Sequence, residues 1–254
     1  MTLVKVRPIL PHPALLLEDE QGKKYVAVSD LHIGFESELD SKGVNIGGDS
    51  AGQMAQQIIN LVQSNSATGI LLLGDIKHKV GAITKQEWDA IPRFMKKLSS
   101  IAQVYLVPGN HDGNIRYLIP DDVIMGGGKG MVLEDTLFIH GHTMPSELRS
   151  SLKRIVMGHL HPVFLRTGSV INGERVWIHI QSRKDALFQQ DGLVDILVVP
   201  SFNDYLYSGG ATSRHRSMSP ILSRVMEKHA IKTCTVVRLD GTIIGDASIL
   251  GDIV

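Results

Sequence analysis

Short apolar runs in the first half of the chain alternate with longer stretches that have apolar positions at helical spacing. The runs predict buried strands at residues 25–28, 70–73 and 104–107, because each contains about four consecutive apolar residues bounded by polar or turn-forming ones. Residues 49–64 and the stretch that begins at Thr84 predict helices. Alternation of strand and helix is typical of a layered α/β fold.

Both predicted helices have a candidate start. Ser50 with Gln53, and Thr84 with Glu87, have the spacing of a capping box, in which side chains bind free backbone N–H groups of the first turn. Pro92 lies inside the second stretch and predicts a kink or a break, because proline has no backbone N–H to donate.

After residue 120 the apolar runs become shorter and closer together, which predicts a β-rich second half. The predicted strands lie at residues 123–125, 131–133, 137–139, 155–157 and 196–199. The glycine-rich residues 126–130 lack the spacing of a phosphate-binding loop, and no helix follows them. We interpret them as a flexible turn between two strands.

Two dipeptides in this second half predict β-hairpins. Asn172-Gly173 lies between the candidate strands 169–171 and 175–178, and Asp240-Gly241 lies further along the chain. Both are typical of tight two-residue turns, which need a left-handed backbone. No linker, repeat or low-complexity run is evident, so we predict a single domain over residues 1–254.

The composition is that of an ordinary globular protein with no net charge. Of the 254 residues, 43% are hydrophobic, and Lys+Arg and Asp+Glu both number 26. This balance argues against nonspecific binding to nucleic acid over a wide surface, although it leaves room for a local basic patch. One cysteine, Cys234, excludes an intrachain disulfide. Because no run approaches the roughly 20 apolar residues of a membrane span and no signal peptide is evident, we predict a cytoplasmic protein without membrane contact.

Polar residues of similar chemistry follow five of the predicted strands. They are Asp30 and His32, then Asp75, then Asn110 and His111, then His140 and His142, and finally His159 and His161. In open α/β sheets, ligands bind at the carboxyl ends of strands. Carboxylate, imidazole and amide donors without thiolate suit divalent manganese, iron, zinc or a similar ion. The set exceeds the needs of one ion and fits two ions that share a carboxylate.

These residues lie in motifs that resemble those of the calcineurin-like metallophosphoesterases. The motifs are Asp30-Leu31-His32 for D-x-H, Gly74-Asp75 for G-D, Gly109-Asn110-His111-Asp112 for G-N-H-[DE], Ile139-His140-Gly141 for a histidine before glycine, and Gly158-His159-Leu160-His161 for G-H-x-H. All five occur in the family's order and span about half of the chain. The resemblance implies an α/β fold, a four-layer αββα sandwich of two mixed β-sheets flanked by helices.

The resemblance also implies a role for each residue in the motifs. The metal ligands would be Asp30, His32 and His161 for the first ion, Asn110, His140 and His159 for the second, and Asp75 as the bridge. A metal-bridging hydroxide would attack phosphorus, and His111 would act as general acid, with Asp112 orienting it. We expect manganese, with iron, zinc, nickel or magnesium as alternatives.

Several residues near these motifs have more than one interpretation. His142 competes with His140 as a ligand; the family pattern favours His140, and we expect His142 to lie beside the metals and support their ligands. Lys77 and His78 follow Asp75 closely, either as contacts to the substrate phosphate, together with Asn110 and His111, or as part of a solvated loop.

Two later segments are also open to interpretation. Arg214-His215-Arg216 is interpreted first as part of a solvated loop. The second interpretation is a mobile substrate-binding loop. After residue 200, Asn203 or Tyr205 is expected near substrate, unless the segment is a simple turn that ends a strand.

The substrate is predicted by resemblance alone. Gly74-Asp75-Ile76-Lys77-His78 is similar to the archaeal-type phosphoesterases related to the nuclease subunit of double-strand-break repair complexes. That implies a phosphodiester, either a nucleotide or nucleic acid, although the neutral charge argues against long DNA. The alternatives are a phosphomonoesterase or small-nucleotide phosphatase, and a non-catalytic metal-binding scaffold, which the complete ligand set disfavours. A homodimer is compatible with the superfamily.

Overall fold

The first of two β-sheets has six strands. The computed structural model describes residues 3–41, 43–44, 47–145, 151–188, 190–207 and 219–253. The strands of this sheet are β1 (Lys5–Pro8), β2 (Leu15–Glu18), β3 (Lys24–Val28), β4 (Gly69–Leu72), β5 (Gln103–Leu106) and β6 (Ile124–Met125). They lie side by side in chain order, antiparallel from β1 to β3 and parallel from β3 to β6.

The second sheet has the order β14-β13-β11-β12-β9-β8-β7, and β10 pairs with β11. Its strands are β7 (Met131–Leu133), β8 (Thr136–Ile139), β9 (Arg154–Met157), β10 (Val163–Phe164), β11 (Glu174–Arg183), β12 (Leu193–Val198), β13 (Ile231–Arg238) and β14 (Ile243–Gly245). The neighbours β8, β9 and β12 are parallel, and the other pairs are antiparallel. Both sheets are therefore mixed.

Helices cover the outer faces of both sheets. The described α-helices are α1 (Phe35–Ser41), α2 (Ser50–Ser64), α3 (Lys85–Ser99) and α4 (Pro220–Glu227), and short 3₁₀ helices lie at Ile115–Tyr117, Lys184–Ala186, Asp204–Tyr207 and Ala247–Asp252. Apolar residues of α2 and α3 pack on the first sheet, and those of α4 pack on the second. A third apolar cluster lies between the two sheets. These four layers confirm the predicted αββα sandwich.

Alternating side chains of β3 explain why its sequence is a continuous apolar run. Val26 and Val28 face the helices, whereas Tyr25 and Ala27 face the second sheet. Because both faces of the sheet are buried, polar residues cannot alternate with apolar ones, as in other doubly covered parallel sheets. The strand ends lie within one residue of the predicted ones for β3, β4 and β5.

The helix starts follow the prediction only in part. Thr84 and Glu87 form the predicted capping box at the start of α3, and that helix continues through Pro92, so of the predicted kink or break the break is excluded. The predicted box at Ser50 is also wrong. Asp49 is the N-cap of α2, and its side chain accepts a hydrogen bond from Gly52 N at 3.0 Å.

One predicted hairpin begins earlier than expected. β10 pairs with the start of β11, and Gly173 N donates to Phe164 O at 2.7 Å. Residues 169–171 lie in the connecting turns, so the strand predicted there is wrong. The hairpin at Asp240-Gly241 is confirmed by the pairing of β13 with β14.

Candidate metal centre

The loops that follow β3, β4, β5, β8 and β9 bring the predicted ligands together. Four of them, Asp30, His32, Asp75 and His161, each place a ligand atom within 4.8 Å of those of the others. His161 Nε2 lies 3.1 Å from Asp30 Oδ1 and 3.2 Å from His32 Nε2. His32 Nε2 lies 3.5 Å from Asp75 Oδ2. We call these residues the first ligand group.

A second ligand group lies on the other side of Asp75. It comprises Asp75, His140 and His159, with ligand atoms again within 4.8 Å of one another, and we include Asn110 in it. His140 Nε2 lies 3.2 Å from Asp75 Oδ2 and 3.1 Å from Asn110 Oδ1. Asp75 therefore belongs to both groups, in agreement with the bridging position implied by its motif.

Five residues of the two groups have a left-handed backbone. The φ angles are 59° for Asp30, 43° for His32, 51° for Asp75, 70° for His159 and 44° for His161. Residues other than glycine rarely adopt this conformation, and it concentrates at functional sites where the surrounding structure enforces it. The turns after β3, β4 and β9 are thus shaped to aim side chains, in addition to connecting elements.

The glycines of the motifs allow the ligands to approach the backbone closely. A Cβ atom on Gly74 would lie 2.5 Å from His140 Nδ1, and one on Gly109 would lie 2.1 Å from Asp75 Oδ1. A Cβ atom on Gly158 would lie 1.7 Å from Ser29 Oγ. None of these distances is sterically allowed, so glycine is required for packing at these positions.

Neighbouring histidines keep both buried carboxylates ionised. Burial would raise the pKa of Asp75, but hydrogen bonding and charge interactions with His140, and then with His32, hold that pKa below its usual range. Burial would likewise raise the pKa of Asp30, but His161 outweighs it and the pKa is lowered. The result is two negative charges in a buried site, which suits a cation.

The histidines of the second group differ in their electrostatics. Burial would lower the pKa of His140, but the Asp75 carboxylate raises it to about 9. Burial, and then the charge of His140, lower the pKa of His159 to about 4. Metal ligands must be deprotonated, so a divalent cation would replace the proton on His140. Ionised carboxylate, imidazole and amide oxygen are donors that fit such a cation.

His111 lies beside the two groups and is oriented by backbone atoms. Its backbone N–H donates to Asp75 Oδ1 at 2.9 Å. Its ring Nδ1 faces the carbonyl of His78, and its ring Nε2 lies 3.9 Å from Asp75 Oδ2. His78 Nδ1 lies 3.5 Å from His32 Nδ1, and His78 Nε2 lies 2.9 Å from Glu38 Oε2. The ring nitrogens of His32, His78 and His111 also lie within 4.8 Å of one another.

Asp112 does not orient His111, so the predicted role is wrong. Its carboxylate accepts hydrogen bonds from Gly109 N and Ile76 N, both at 2.8 Å, and from Lys77 N at 3.2 Å. Burial, and then the charge of Asp75, raise the pKa of Asp112 to about 6. The side chain ties the loop after β5 to the loop after β4, and the carbonyl of His78 faces the His111 ring instead.

Lys77 also differs from the prediction that it contacts substrate. Its side chain is fully buried, and its ammonium donates to the carbonyls of Lys79 and Val80. The ammonium therefore stabilises the loop after β4 and does not point to a substrate. His78 keeps 18% of its side chain exposed and remains a candidate contact.

Other predicted residues lie near the site or outside the described residues. The His142 ring centroid lies 5.3 Å from that of His140 and 6.1 Å from that of His159, beside the second ligand group. Asn203 is fully buried, which favours the alternative interpretation of its segment as a turn that ends a strand. Arg214-His215-Arg216 lies outside the residues that the structure describes.

Glu87 has a supporting role at the site that was not predicted. Besides capping α3, its carboxylate accepts hydrogen bonds from His78 N at 3.1 Å and Lys79 N at 2.8 Å. The capping signal identified the residue, but no local pattern indicates that the same carboxylate holds the loop after β4.

Comparisons with known proteins identify the family of the chain and a similar fold. The family model for calcineurin-like phosphoesterases matches residues 23–199. The crystal structure of the Pseudomonas putida nuclease MPE is similar to this one, with a TM-score of 0.55 at 16% identity, covering 95% of this chain and 100% of that chain. The phosphoesterase YfcE from E. coli has a TM-score of 0.43 at 18% identity, covering 89% and 98%. No curated protein sequence matches the chain. Among the described residues, no helix is both long and apolar enough to cross a membrane.

Proposed function

This chain belongs to the calcineurin-like phosphoesterase family, and we propose that it is a phosphodiesterase that uses two divalent metal ions. The observation that carries the proposal is the pair of ligand groups that share Asp75. When bound, two such ions lower the pKa of a shared water, so that it is nucleophilic near neutral pH, and they offset charge on the phosphoryl oxygens. Manganese is the ion that we propose; nitrogen and oxygen donors without thiolate suit it, as they also suit iron or zinc.

Asp75 would bridge the two ions, and contacts with both groups and with the backbone orient its carboxylate. Its Oδ2 faces His32 in the first group and His140 in the second, at 3.5 Å and 3.2 Å. Its Oδ1 accepts a hydrogen bond from the backbone N–H of His111. With one oxygen fixed by the backbone, the other is directed between the two groups.

His111 would protonate the leaving oxygen. A carbonyl can only accept a hydrogen bond, so the carbonyl of His78 selects the ring form that carries a proton on Nδ1. That leaves Nε2, 3.9 Å from Asp75 Oδ2, to hold and transfer the catalytic proton. A histidine placed within reach of the leaving group is the common general acid in enzymes.

A nucleotide or a nucleic acid is the proposed substrate class. The sequence after Asp75 resembles nuclease-related phosphoesterases, and the Pseudomonas putida protein that shares the fold is a nuclease. The proposed phosphate contacts are His78, whose Nδ1 lies 3.5 Å from His32 Nδ1, and Asn110, whose Oδ1 lies 3.1 Å from His140 Nε2. The zero net charge favours a short substrate over a long duplex, whose binding relies on many basic contacts.

The test is hydrolysis of bis-p-nitrophenyl phosphate and p-nitrophenyl phosphate by metal-stripped protein with added Mn²⁺. We expect hydrolysis of the diester, and we expect Asp75→Asn to abolish it. The control is Asp195→Asn, at a half-buried position of β12, which should leave hydrolysis intact. Hydrolysis of the monoester alone would replace the proposal with a phosphomonoesterase. Hydrolysis of neither compound would contradict catalysis and favour a metal-binding scaffold.

A further inference from the structure

A short segment after β12 packs against the turn that carries Asp30 and His32. Its residues Ser201, Phe202 and Asn203, which we call the 201–203 clamp, are 0%, 3% and 0% exposed. The clamp follows a strand of the second sheet, whereas the turn follows a strand of the first. The contact therefore joins the two sheets beside the first ligand group.

Three successive carbonyls of the turn accept hydrogen bonds from the clamp. The bonds run from Phe202 N to Ser29 O at 2.9 Å, from Ser201 Oγ to Asp30 O at 3.0 Å, and from Asn203 Nδ2 to Leu31 O at 2.8 Å. Two of the three donors are side chains, so they depend on the identity of the residue and not only on the path of the backbone.

The left-handed backbone of the turn explains why it needs an outside partner. Its N–H groups bind the neighbouring loop, with His32 N donating to Asp75 O at 2.8 Å and Asp30 N donating to Gly74 O at 3.2 Å. Its carbonyls point away from that loop, towards the second sheet. Buried carbonyls without a donor are rare and costly, and the clamp supplies the donors.

The clamp is itself held in a defined orientation. Arg175 donates from Nη1 to Ser201 O at 2.7 Å, and its Nη2 lies 2.5 Å from Asp204 Oδ1. Asn203 Oδ1 accepts a hydrogen bond from Tyr205 N at 2.9 Å. Because Oδ1 faces that donor, the amide nitrogen of Asn203 must face the carbonyl of Leu31.

We infer that Asn203 is a positioning residue that aims Asp30 and His32 at the ion of the first ligand group. The inference rests on the proposed metal-dependent function. It predicts a selective effect, because His140 of the second group extends directly from β8 and is oriented by Leu73 O at 2.9 Å, not by the clamp. Asn203 acts through the carbonyl of Leu31 and does not touch the substrate.

Asn203→Asp tests this directly, because it keeps the oxygen that faces Tyr205 N and replaces the donor to Leu31 with an acceptor. Binding of Mn²⁺ to metal-stripped protein would be measured by calorimetry in two backgrounds. His159→Ala removes a ligand of the second group, and His161→Ala removes one of the first. We expect Asn203→Asp to weaken binding by about 10- to 100-fold in the His159→Ala background, the usual range for groups that support ligands. In the His161→Ala background we expect little change.

Ser201→Ala provides a milder variant in case Asn203→Asp does not fold. It removes one hydroxyl donor, to Asp30 O, and should also weaken the first group selectively. Ser182→Ala is the matched control, because Ser182 is equally buried and donates to Arg183 O, on β11. We expect the control to leave binding of Mn²⁺ to both groups unchanged.

The outcomes separate this inference from the proposed function. Unchanged binding of two ions by Asn203→Asp and Ser201→Ala would overturn the inference and leave the proposed function in place. Equal weakening of both groups together with a lower melting temperature would also overturn it, since the clamp would then be a general structural contact. Absence of Mn²⁺ binding by the unmodified protein would overturn the proposed function, and the inference with it.

Discussion

The two ligand groups share Asp75 but are built differently. In the first, Asp30, His32 and His161 all lie on left-handed turns, and these turns come from both sheets. In the second, His159 also lies on such a turn, but His140 continues from the end of β8, is fully buried, and has its ring oriented by a backbone carbonyl. The first group therefore depends on hydrogen bonds from remote loops, whereas His140 of the second depends more on strand register. Changes outside the ligands should affect the first group more strongly.

The largest effect is expected at Asp75, the ligand that both groups share. Gly109→Ala would place a Cβ atom 2.1 Å from Asp75 Oδ1 and displace the carboxylate that both groups share. We expect loss of Mn²⁺ binding by both groups and diester hydrolysis at background level. Gly128→Ala is the control, because a Cβ atom there meets nothing within 4 Å. Normal binding of two ions by Gly109→Ala would show that the shared carboxylate is not positioned as described.

His111→Ala should separate catalysis from metal binding in both groups. We expect kcat to fall by about 10²- to 10⁴-fold, the usual contribution of a general acid. Bound Mn²⁺ should stay the same, because we place His111 on neither ion. The loss should be smaller for substrates with a good leaving group, which need less protonation. Loss of an ion on substitution would instead make His111 a ligand.

Asp112→Asn should lower the stability of the fold that supports both groups, whereas changes in the 201–203 clamp should affect Mn²⁺ binding by the first group. Asp112 joins the loops after β4 and β5, which carry Asp75 and Asn110, through three backbone N–H groups. An amide in its place would present a donor to at least one of them. We expect the free energy of unfolding to fall by about 1–3 kcal/mol in urea titrations, the cost of an unsatisfied buried group. Asp121→Asn, at an exposed position, should have no effect.

The smallest effect is expected for His142→Ala, which tests how much support the second group needs. The His142 ring lies beside those of His140 and His159, at centroid distances of 5.3 Å and 6.1 Å, without lying on the metal in our account. Calorimetry should show a loss of Mn²⁺ affinity below about 10-fold, the lower bound for supporting groups. A larger loss would make His142 a ligand in place of His140.

Local signals were sufficient to predict three parallel strands of the first sheet and the side chains that converge beyond the strand ends. Apolar runs located β3, β4 and β5 to within one residue, because burial on both faces leaves a continuous pattern. The ligands follow strands, and parallel neighbours in a sheet bring their carboxyl ends to one edge. The motif spacing therefore predicted which residues would converge, even where the order of strands in the second sheet was not predicted.

Contacts between distant segments could not be predicted from local patterns. Lys77 was predicted to contact the substrate and Asp112 to orient His111, yet both side chains are buried and bind backbone atoms. Asn203 bonds to a carbonyl 172 residues away. Periodicity does not encode such pairs, since they depend on how the two sheets pack.

Anomalous diffraction at the manganese edge, from crystals grown with Mn²⁺, tests the central claim most directly. We predict two peaks about 3.5–4 Å apart, the usual separation in two-metal sites, with Asp75 between them. One peak should lie among Asp30, His32 and His161, and the other among Asn110, His140 and His159. A single peak, or two peaks that do not share Asp75, would contradict the binuclear centre on which the proposed function rests.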